Sequence, residues 1–213
     1  MLPTFDEERR LEAQGYHLIA GIDEVGRGAL AGPVVAAAVI LPISRGSSRT
    51  APTWLSSVRD SKQLSPKKRE SLFEKIQAGA IAVGVGMVSP EEIDAYGIVK
   101  ATRQAMCLAV KQLPTPPDFL LIDALTLPQI PLPQRGIIHG DQLSFSIACA
   151  SIIAKVTRDR YMIELDRIYP GYGLARHKGY ATPQHLLNLR QSGPCPIHRR
   201  SFAPVRNLRI AST

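Results

Sequence analysis

The sequence has few cysteines and no long apolar run. It contains three cysteines among 213 residues, and Cys107, Cys149 and Cys195 lie far apart, which fits reduced thiols better than a disulfide framework. The longest uncharged apolar stretch, residues 29–42, is interrupted by glycine and proline and is too short to span a membrane. The N-terminus is charged and lacks the apolar core of a secretory signal. We therefore expect a cytoplasmic protein that does not associate with membranes.

Acidic residues are scarce at the other end of the chain, where none follows Asp166. Residues 1–154 hold 15 basic and 15 acidic residues, whereas residues 155–213 hold 11 and 3, so the final third carries the whole net charge of +8. A region of one charge sign attracts a polyanion, and the interleaved Tyr169, Tyr172, Tyr180 and Phe202 could stack on sugars or bases. Charge alone also permits a merely solubilising basic tail.

Length and composition indicate one compact domain. The chain is long enough to bury a proper core, and 45% hydrophobic with 21% charged residues excludes a disordered or fibrous protein. We predict a main domain over residues 1–169 and a small basic helical extension over residues 170–213.

Periodicity and capping residues predict the order of the elements. Strands are expected at 18–23, 34–41, 81–88 and 119–122, and loops at 44–53 and 126–135. Helices are expected from Pro66, from a capping box at Ser89 to about Leu113 with a break near Gly97, over 144–168, and from Pro183 to Gly193. The pattern is typical of a mixed sheet flanked by helices.

Four acids stand where apolar segments end or begin. Asp23 and Glu24 close the first strand, Asp123 closes the strand at 119–122, and Asp141 precedes the long buried helix. Burying a carboxylate without a partner costs several kcal/mol. If the two strands are parallel neighbours, the acids share one crevice, where Mg²⁺ or Mn²⁺ would neutralise them. With a basic region nearby, such a cluster favours two-metal cleavage of a phosphodiester.

Each acid also has an ordinary interpretation. Asp141 could cap its helix, Asp123 could begin a turn, and Asp23 with Glu24 could pair with Arg27. Taken together, the four favour the metal site.

The second half of the long helix contains further charged residues, Arg158, Asp159, Arg160, Asp166 and Arg167. We interpret them as solvated ion pairs on an exposed helix face.

Several motifs, in this order along the chain, resemble ribonuclease HII. They are GIDEVGRG at 21–28, DSK at 60–62, ID at 122–123, GD at 140–141, ASIIAKVTRD at 150–159, HKGY at 177–180 and HRRSF at 198–202. The resemblance implies a ribonuclease H-like α/β fold, with a mixed five-stranded sheet flanked by helices and a small C-terminal helical extension. It also implies Mg²⁺- or Mn²⁺-dependent endonucleolytic cleavage of RNA paired with DNA, including single ribonucleotides embedded in duplex DNA. Two departures, Cys149 in place of a usual alanine and a loop insertion at 44–53, do not touch the expected chemistry.

By this resemblance the metal-binding and catalytic acids are Asp23, Glu24, Asp123 and Asp141. Asp23 and Asp123 would anchor two divalent ions, and Glu24 and Asp141 would complete their coordination. We expect hydrolysis on the 5′ side of a ribonucleotide, leaving 5′-phosphate and 3′-hydroxyl ends.

A loop and a tyrosine are the expected ribonucleotide sensor. Gly26 and Gly28 lack a Cβ, so the backbone around Arg27 can approach a sugar closely, and the 2′-hydroxyl is the group that distinguishes RNA from DNA. The resemblance assigns the 2′-hydroxyl contact to this loop and to Tyr180. The alternatives are a tight connection and a core tyrosine.

Three lysines are candidates for phosphate contacts, Lys62, Lys155 and Lys178, and each could equally be an ordinary surface lysine. The expected partners are RNA–DNA hybrids and ribonucleotide-containing DNA duplexes, bound by a monomer.

Two rival interpretations remain at this point. Cys195, His198, His177 and His185 could form a zinc site, although their spacing does not match common zinc modules. The chain could also be a non-catalytic nucleic-acid-binding module in which the acids are only caps. Metal analysis of the purified protein tests the zinc site. Binding that is unaffected by EDTA, without cleavage in Mg²⁺ or Mn²⁺, would identify the binding module.

Overall fold

A computed structural model of the chain describes residues 2–43, 52–59, 61 and 64–208. The five strands are β1 (Ile19–Val25), β2 (Val34–Ile40), β3 (Ala82–Val88), β4 (Phe119–Asp123) and β5 (Gln134–Ile137). The helices are α1 (Asp6–Glu12), α2 (Pro66–Gly79), α3 (Pro90–Tyr96), α4 (Ile98–Lys111), α5 (Phe145–Ile168), α6 (Leu174–His177), α7 (Pro183–Ser192) and α8 (Ala203–Arg206).

The strands form one mixed sheet in the order β3-β2-β1-β4-β5. β2 runs antiparallel to both β1 and β3, and β4 runs parallel to both β1 and β5. Residues of α4 pack on one face of β2 and residues of α2 and α5 on the other, so β2 is buried along its whole length. The predicted α/β class, with a mixed five-stranded sheet flanked by helices, is confirmed.

β5 is the strand that periodicity did not predict. It begins at Gln134, within the loop expected over 126–135; its two end residues are half-buried and the two between them are exposed, so it has no apolar face. The Gln134 side chain also folds the preceding segment by donating to the carbonyl of Leu127 at 3.0 Å and accepting from its N–H at 2.6 Å. The register of β5 is therefore set by pairing with β4, which hydrophobic patterning cannot reveal.

The predicted helices at Pro66, Ser89 and Pro183 are present, each with the expected side-chain cap. The break at Gly97 is confirmed as well, because this glycine separates α3 from α4 with a φ of 79°. The short helices α1, α6 and α8 were not predicted.

The start of α5 is fixed by a buried acid from α1. The Glu8 carboxylate accepts hydrogen bonds from the Ser144 hydroxyl at 2.7 Å and from the Ser146 N–H at 3.0 Å. A negative charge at a helix N-terminus satisfies unpaired N–H groups and interacts favourably with the helix dipole. α1 thereby holds the beginning of the helix that follows Asp141.

The C-terminal helices share a core with the main domain. Leu174, Leu189 and Val205 from α6, α7 and α8 are buried together with Leu30 and Met162. The segment after β1 and the second half of α5 are thus packed against the basic extension.

No helix within the described ranges is long and apolar enough to cross a bilayer. The predicted surface loop at 44–53 lies almost entirely outside the described residues.

Candidate active site

Two aspartates stand side by side at one edge of the sheet. β1 and β4 are parallel with Ile22 opposite Ile122, and the next residue on each strand is Asp23 or Asp123. Because parallel strands end at the same edge, this register brings the two carboxylates into one crevice. The juxtaposition expected from the strand pattern is present.

Asp23 is held from two sides. One of its carboxylate oxygens accepts from the Glu24 N–H at 2.7 Å, and the Ser151 hydroxyl donates to the carboxylate. Ser151 is itself 2.9 Å from the hydroxyl of Ser61, and both serines are buried. A hydroxyl chain from the segment before α2 and from α5 therefore orients this acid.

Burial disfavours the ionised forms of Asp23 and Glu24, which raises the pKa of both acids. Burial raises the pKa of Asp23 well above its ordinary value, and the charges of Glu24 and Asp123 raise it further. Burial also raises the pKa of Glu24, although Arg27, whose guanidinium is 3.2 Å from the Glu24 carboxylate, opposes the shift. The pairing of Glu24 with Arg27, one of the ordinary interpretations, therefore exists but does not offset burial.

Asp141 is connected to the end of β4 through the residue before it, Gly140. It lies buried in the 3₁₀ turn Gly140–Gln142 that precedes α5, and the Gly140 N–H donates to a carboxylate oxygen of Asp123 at 2.8 Å. This bond ties the turn to the end of β4. Asp141 is thus one residue from a direct contact with the aspartate pair.

The donor set suits hard divalent cations. Glu24 has a buried carboxylate oxygen, Oε2, without a hydrogen-bond partner, and buried charges without partners are costly. Among the described residues, no group of three or more His, Cys, Asp or Glu side chains is arranged as a ready-made cage for one ion. Mg²⁺ does not need such a cage, since it keeps several waters and binds through one or two carboxylates and substrate phosphates.

Asp23→Asn should stabilise the protein when no divalent ion is bound. The raised pKa means that the ionised carboxylate lowers the free energy of unfolding of wild type at neutral pH, and that this penalty fades as the pH falls through the raised value. In EDTA at pH 8 we expect a Tm increase on the order of 5 °C. Mn²⁺ should then raise the Tm of wild type more than that of the variant. Thermal melts at pH 8 and pH 5 check both statements, and a less stable variant in EDTA at pH 8 would contradict them.

The Gly26–Gly28 turn follows directly after β1. Gly26 has a φ of 92°, and a Cβ there would lie 2.2 Å from Nε of Arg158, so this position requires glycine for both conformation and space. Gly28 has no heavy atom within 4 Å of an added Cβ, and Arg27 is exposed. The turn is thus anchored on one side and open to solvent on the other.

Arg158 is not part of a solvated ion pair, so the interpretation from the sequence is wrong for this residue. It is fully buried, and its guanidinium donates to the carbonyls of Ala31 at 3.0 Å, Pro33 at 2.9 Å and Lys178 at 2.9 Å. The error came from treating the whole second half of α5 as exposed. Helical spacing puts Arg158 on the same stripe as the buried Ala154 and Met162.

A second buried arginine, Arg199, also holds the backbone in and after the Gly26–Gly28 turn. Arg199 donates twice to the carbonyl of Gly32, at 3.0 and 2.8 Å, and once to the carbonyl of Arg27 at 2.9 Å. Burial lowers the pKa of both arginines, that of Arg199 to about 9, and the charge of Arg158 contributes to the shift of Arg199. Patterning alone missed Arg199, because it lies outside regular structure.

The Tyr180 ring lies close to two cations, Arg158 and Lys155. Its ring centroid is 5.4 Å from Cζ of Arg158 and 5.9 Å from Nζ of Lys155. The residue before it, Gly179, accepts from the Leu30 N–H at 2.8 Å. The two parts of the expected sensor, distant in sequence, are therefore linked through adjoining backbone.

Two of the candidate lysines line one basic groove. Lys155 and Lys178 border a cavity of about 460 Å³ whose other basic residues are Arg69, Arg160 and Arg176, with Tyr180 at its side. Nζ of Lys155 is 2.7 Å from Asp159, and the Lys178 ammonium donates to the carbonyl of Ala175. Lys62 lies outside the described residues.

The remaining acids of α5 also differ from the solvated pairs we expected. Asp159 is half-buried between Lys155 and Arg69, the latter at 3.9 Å. Asp166 has a buried oxygen without a hydrogen-bond partner. Of the five charged residues, Arg160 and Arg167 fit the interpretation, because Arg160 forms an exposed pair with Glu70 and Arg167 forms an exposed pair with Glu164 at 2.9 Å.

The zinc alternative is not supported by the histidine geometry. His177, His185 and His198 are buried near one another, but each ring nitrogen already has a hydrogen-bond partner in a neighbouring ring, in the Cys195 segment or in a backbone group. A zinc ligand needs a free lone pair directed at the metal.

Known proteins resemble this chain along nearly its whole length. The profile of the family described as Ribonuclease HII matches residues 20–205. The chain is 56% identical over 206 residues to Ribonuclease HII of Dehalococcoides mccartyi, covering 97% of this chain and 95% of that protein. It is 58% identical over 205 residues to Ribonuclease HII of Geobacillus kaustophilus, covering 96% and 75%.

Solved structures give the same result for the fold. The crystal structure of ribonuclease H2 from Pyrococcus horikoshii superposes with a TM-score of 0.71 at 28% identity, covering 89% of this chain and 96% of that one. Ribonuclease HII of Archaeoglobus fulgidus, solved in complex with PCNA, superposes with a TM-score of 0.70 at 28% identity, covering 90% and 97%. The chain thus belongs to the ribonuclease HII family, whose members are metal-dependent endonucleases acting on the RNA of RNA–DNA hybrids.

Proposed function

We propose that this enzyme cuts RNA–DNA hybrids and also cuts on the 5′ side of single ribonucleotides embedded in duplex DNA, leaving 5′-phosphate and 3′-hydroxyl ends. The observation that carries the proposal is the pairing of Asp23 and Asp123 on adjacent parallel strands. The open Gly26–Gly28 turn directly follows the first of these strands.

Asp23, Glu24, Asp123 and Asp141 would hold two divalent ions, Mg²⁺ or Mn²⁺. Bound there, the ions would activate water and stabilise the leaving oxygen. The Ser61–Ser151 hydroxyl chain keeps Asp23 oriented, and the Gly140 N–H does the same for Asp123. Both contacts fix ligand oxygens before substrate arrives, which lowers the reorganisation needed for reaction.

The backbone of Gly26, Arg27 and Gly28, together with the Tyr180 hydroxyl, would recognise the 2′-hydroxyl of one ribonucleotide. Support comes from the two buried arginines, which hold carbonyls of the turn and of Lys178, and from the Leu30–Gly179 hydrogen bond. A rigid sensor can distinguish a single hydroxyl, because a misplaced hydrogen-bond partner loses most of its binding energy.

Lys155 and Lys178 in the basic groove, and Lys62, would contact phosphates of the duplex, with the basic extension 170–213 joined to the catalytic domain 1–169. All proposed catalytic acids come from one chain, so a monomer is sufficient for catalysis. The free cysteines suit the proposed location in the cytoplasm.

The direct test uses a labelled DNA duplex with one ribonucleotide, titrated with Mg²⁺ and Mn²⁺, with the ends of the products mapped. We expect a single cut 5′ to the ribonucleotide, no cut in an all-DNA duplex of the same sequence, and no cut in EDTA. Binding that persists in EDTA without cleavage in either metal would favour the non-catalytic binding module instead.

Tyr180→Phe should selectively impair cleavage at a single ribonucleotide. The ring over Arg158 remains, but the hydroxyl is lost, so we expect kcat/KM to fall about 10- to 100-fold on the single-ribonucleotide duplex. On a long RNA–DNA hybrid, which offers many alternative sites, the loss should stay within about 3-fold. Tyr161→Phe, on the exposed side of α5, is the matched control. Equal losses on both substrates would rule out the sensor role.

A further inference from the structure

The histidines that do not bind zinc form an ordered chain of hydrogen bonds leading to Tyr180. His185 Nδ1 is 3.0 Å from the carbonyl oxygen of Tyr180, and His185 Nε2 is 3.1 Å from His198 Nε2. His198 Nδ1 is 3.1 Å from both the N–H and the Sγ of Cys195. Both imidazoles are essentially inaccessible to solvent, with exposed fractions of 0% and 1%.

His198 Nδ1 also lies 3.3 Å from the carbonyl oxygen of Cys195. When both rings are neutral, the contacts permit one arrangement of protons. A carbonyl oxygen only accepts, so His185 carries its proton on Nδ1 and leaves Nε2 as an acceptor. His198 must then donate from Nε2, which leaves its Nδ1 to accept from Cys195. The Cys195 N–H can only donate, so the contact at that end requires the same arrangement of protons.

The imidazole rings of His185 and His198 must both stay neutral for these hydrogen bonds to persist. Burial lowers the pKa of His185, and burial together with the neighbouring His185 lowers the pKa of His198 to about 4. Burial also raises the pKa of Cys195, so its thiol keeps the proton that it donates. A second proton on His185 would set two Nε2–H donors against each other at 3.1 Å, and a second proton on His198 would set its Nδ1–H against the Cys195 N–H, also at 3.1 Å.

This series of hydrogen bonds ends at the segment that carries Tyr180, part of the expected sensor. His185 stacks on His177 with ring centroids 4.3 Å apart, and His177 Nδ1 accepts from the Gly179 N–H at 3.2 Å. The Tyr180 N–H donates to the carbonyl of His177 at 3.0 Å. Gly179 has a φ of 81°, and a Cβ there would lie 2.4 Å from the Ala31 carbonyl oxygen. These contacts restrict the conformation of the backbone at Tyr180.

We propose that His185 is a positioning residue for ribonucleotide recognition: its Nδ1–H, fixed through His198 by Cys195, holds the Tyr180 carbonyl and so fixes the Tyr180 hydroxyl relative to the Gly26–Gly28 turn. The inference rests on the sensor role of Tyr180 proposed above. It adds a chemical requirement, a hydrogen-bond donor at the position of Nδ1.

The first test reads the proton positions without catalysis. In ¹⁵N-labelled wild type at pH 7, long-range ¹H–¹⁵N correlation spectra should show His185 as the Nδ1–H tautomer and His198 as the Nε2–H tautomer. His185 in the opposite tautomer, or charged, would overturn the proposal whatever the enzyme's activity.

The second test compares two amide substitutions. In His185→Asn the side-chain NH₂ falls near the position of Nδ1 and can still donate to Tyr180, whereas in His185→Gln it falls near Nε2 and cannot. We expect His185→Asn to keep kcat/KM on the single-ribonucleotide duplex within about 3-fold of wild type, and His185→Gln to lose about 10-fold, again with a smaller loss on a long hybrid. Equal effects of the two substitutions would contradict the requirement for an Nδ1 donor.

A double-mutant cycle separates positioning from general stability. If His185 acts through Tyr180, then His185→Gln in a Tyr180→Phe background should cost no more than about a further 2-fold. Additive losses would mean that His185 acts elsewhere. If Tyr180→Phe itself shows no selective loss, the proposed sensor fails, while the tautomer measurement still tests the hydrogen-bond chain. If His185→Gln does not fold, the cycle is run with His198→Asn, whose amide falls near Nδ1 and leaves no donor towards His185, and the same limit on the further loss is expected.

Discussion

Asp123→Asn should reduce cleavage of every substrate by at least about 100-fold, while duplex binding changes by no more than a few-fold. The asparagine can still accept the Gly140 N–H bond at the same oxygen, so the turn that carries Asp141 should keep its place. What the variant loses is a negative charge at the position where divalent ions are expected, and the basic surface that binds the duplex is unchanged.

The chain offers a matched control next to the same strand. Asp118 lies just before β4, at the end opposite Asp123, and accepts the N–H groups of His17 and Leu18 at 2.6 and 3.0 Å. Asp118→Asn makes the same chemical change far from the crevice and should leave kcat within about 2-fold. Undiminished turnover in Asp123→Asn, measured in both Mg²⁺ and Mn²⁺, would remove the metal role from this residue.

Arg158→Met should destabilise the protein strongly, more than any of the site substitutions above. Methionine fills similar space but leaves the carbonyls of Ala31, Pro33 and Lys178 without their donor, and each buried unsatisfied group costs about 1–3 kcal/mol. We expect the free energy of unfolding to fall by about 3–5 kcal/mol and the Tm by roughly 10 °C.

The same substitution should impair recognition at temperatures where the variant is folded. Arg158 connects the segment after the Gly26–Gly28 turn to the backbone before Tyr180, so its loss frees the two halves of the sensor from each other. We expect kcat/KM on a single-ribonucleotide duplex to drop about 10-fold or more. Arg167→Met, in an exposed pair on the same helix, should change stability by about 0.5 kcal/mol at most. A similar Tm for the two variants would show that the hydrogen bonds of the buried Arg158 guanidinium do not stabilise the fold.

The acids of the site could be predicted from the sequence, whereas the buried residues that support the site could not. Asp123 ends β4, and Asp23 lies two residues before the end of β1, which extends past the predicted boundary to Val25. Parallel pairing alone makes the two acids neighbours, so local pattern and one assumption about topology were enough. Gly26 could be singled out as a position needing glycine, but the atom that excludes a Cβ belongs to Arg158, far along the chain. Such long-range contacts are absent from any local pattern.

The buried polar groups account for most of what was missed. Arg158, Arg199 and Glu8 look like surface residues in a sequence, because charged side chains are rarely buried. Each is buried in the fold because donors or acceptors from distant segments surround it. β5 was missed for a related reason, since an edge strand without an apolar face takes its register from β4. Tertiary hydrogen bonding, rather than periodicity, decided these cases.

The most direct measurement is a crystal structure of the Asp123→Asn variant and of wild type with Mn²⁺ and a non-cleavable single-ribonucleotide duplex, with anomalous scattering used to locate the ions. Wild type should show two manganese peaks within coordinating distance of Asp23, Glu24, Asp123 and Asp141, next to the phosphate on the 5′ side of the ribonucleotide, and the variant should lose at least one of them. Manganese bound elsewhere on the duplex or protein, with these four carboxylates free of metal, would contradict the account.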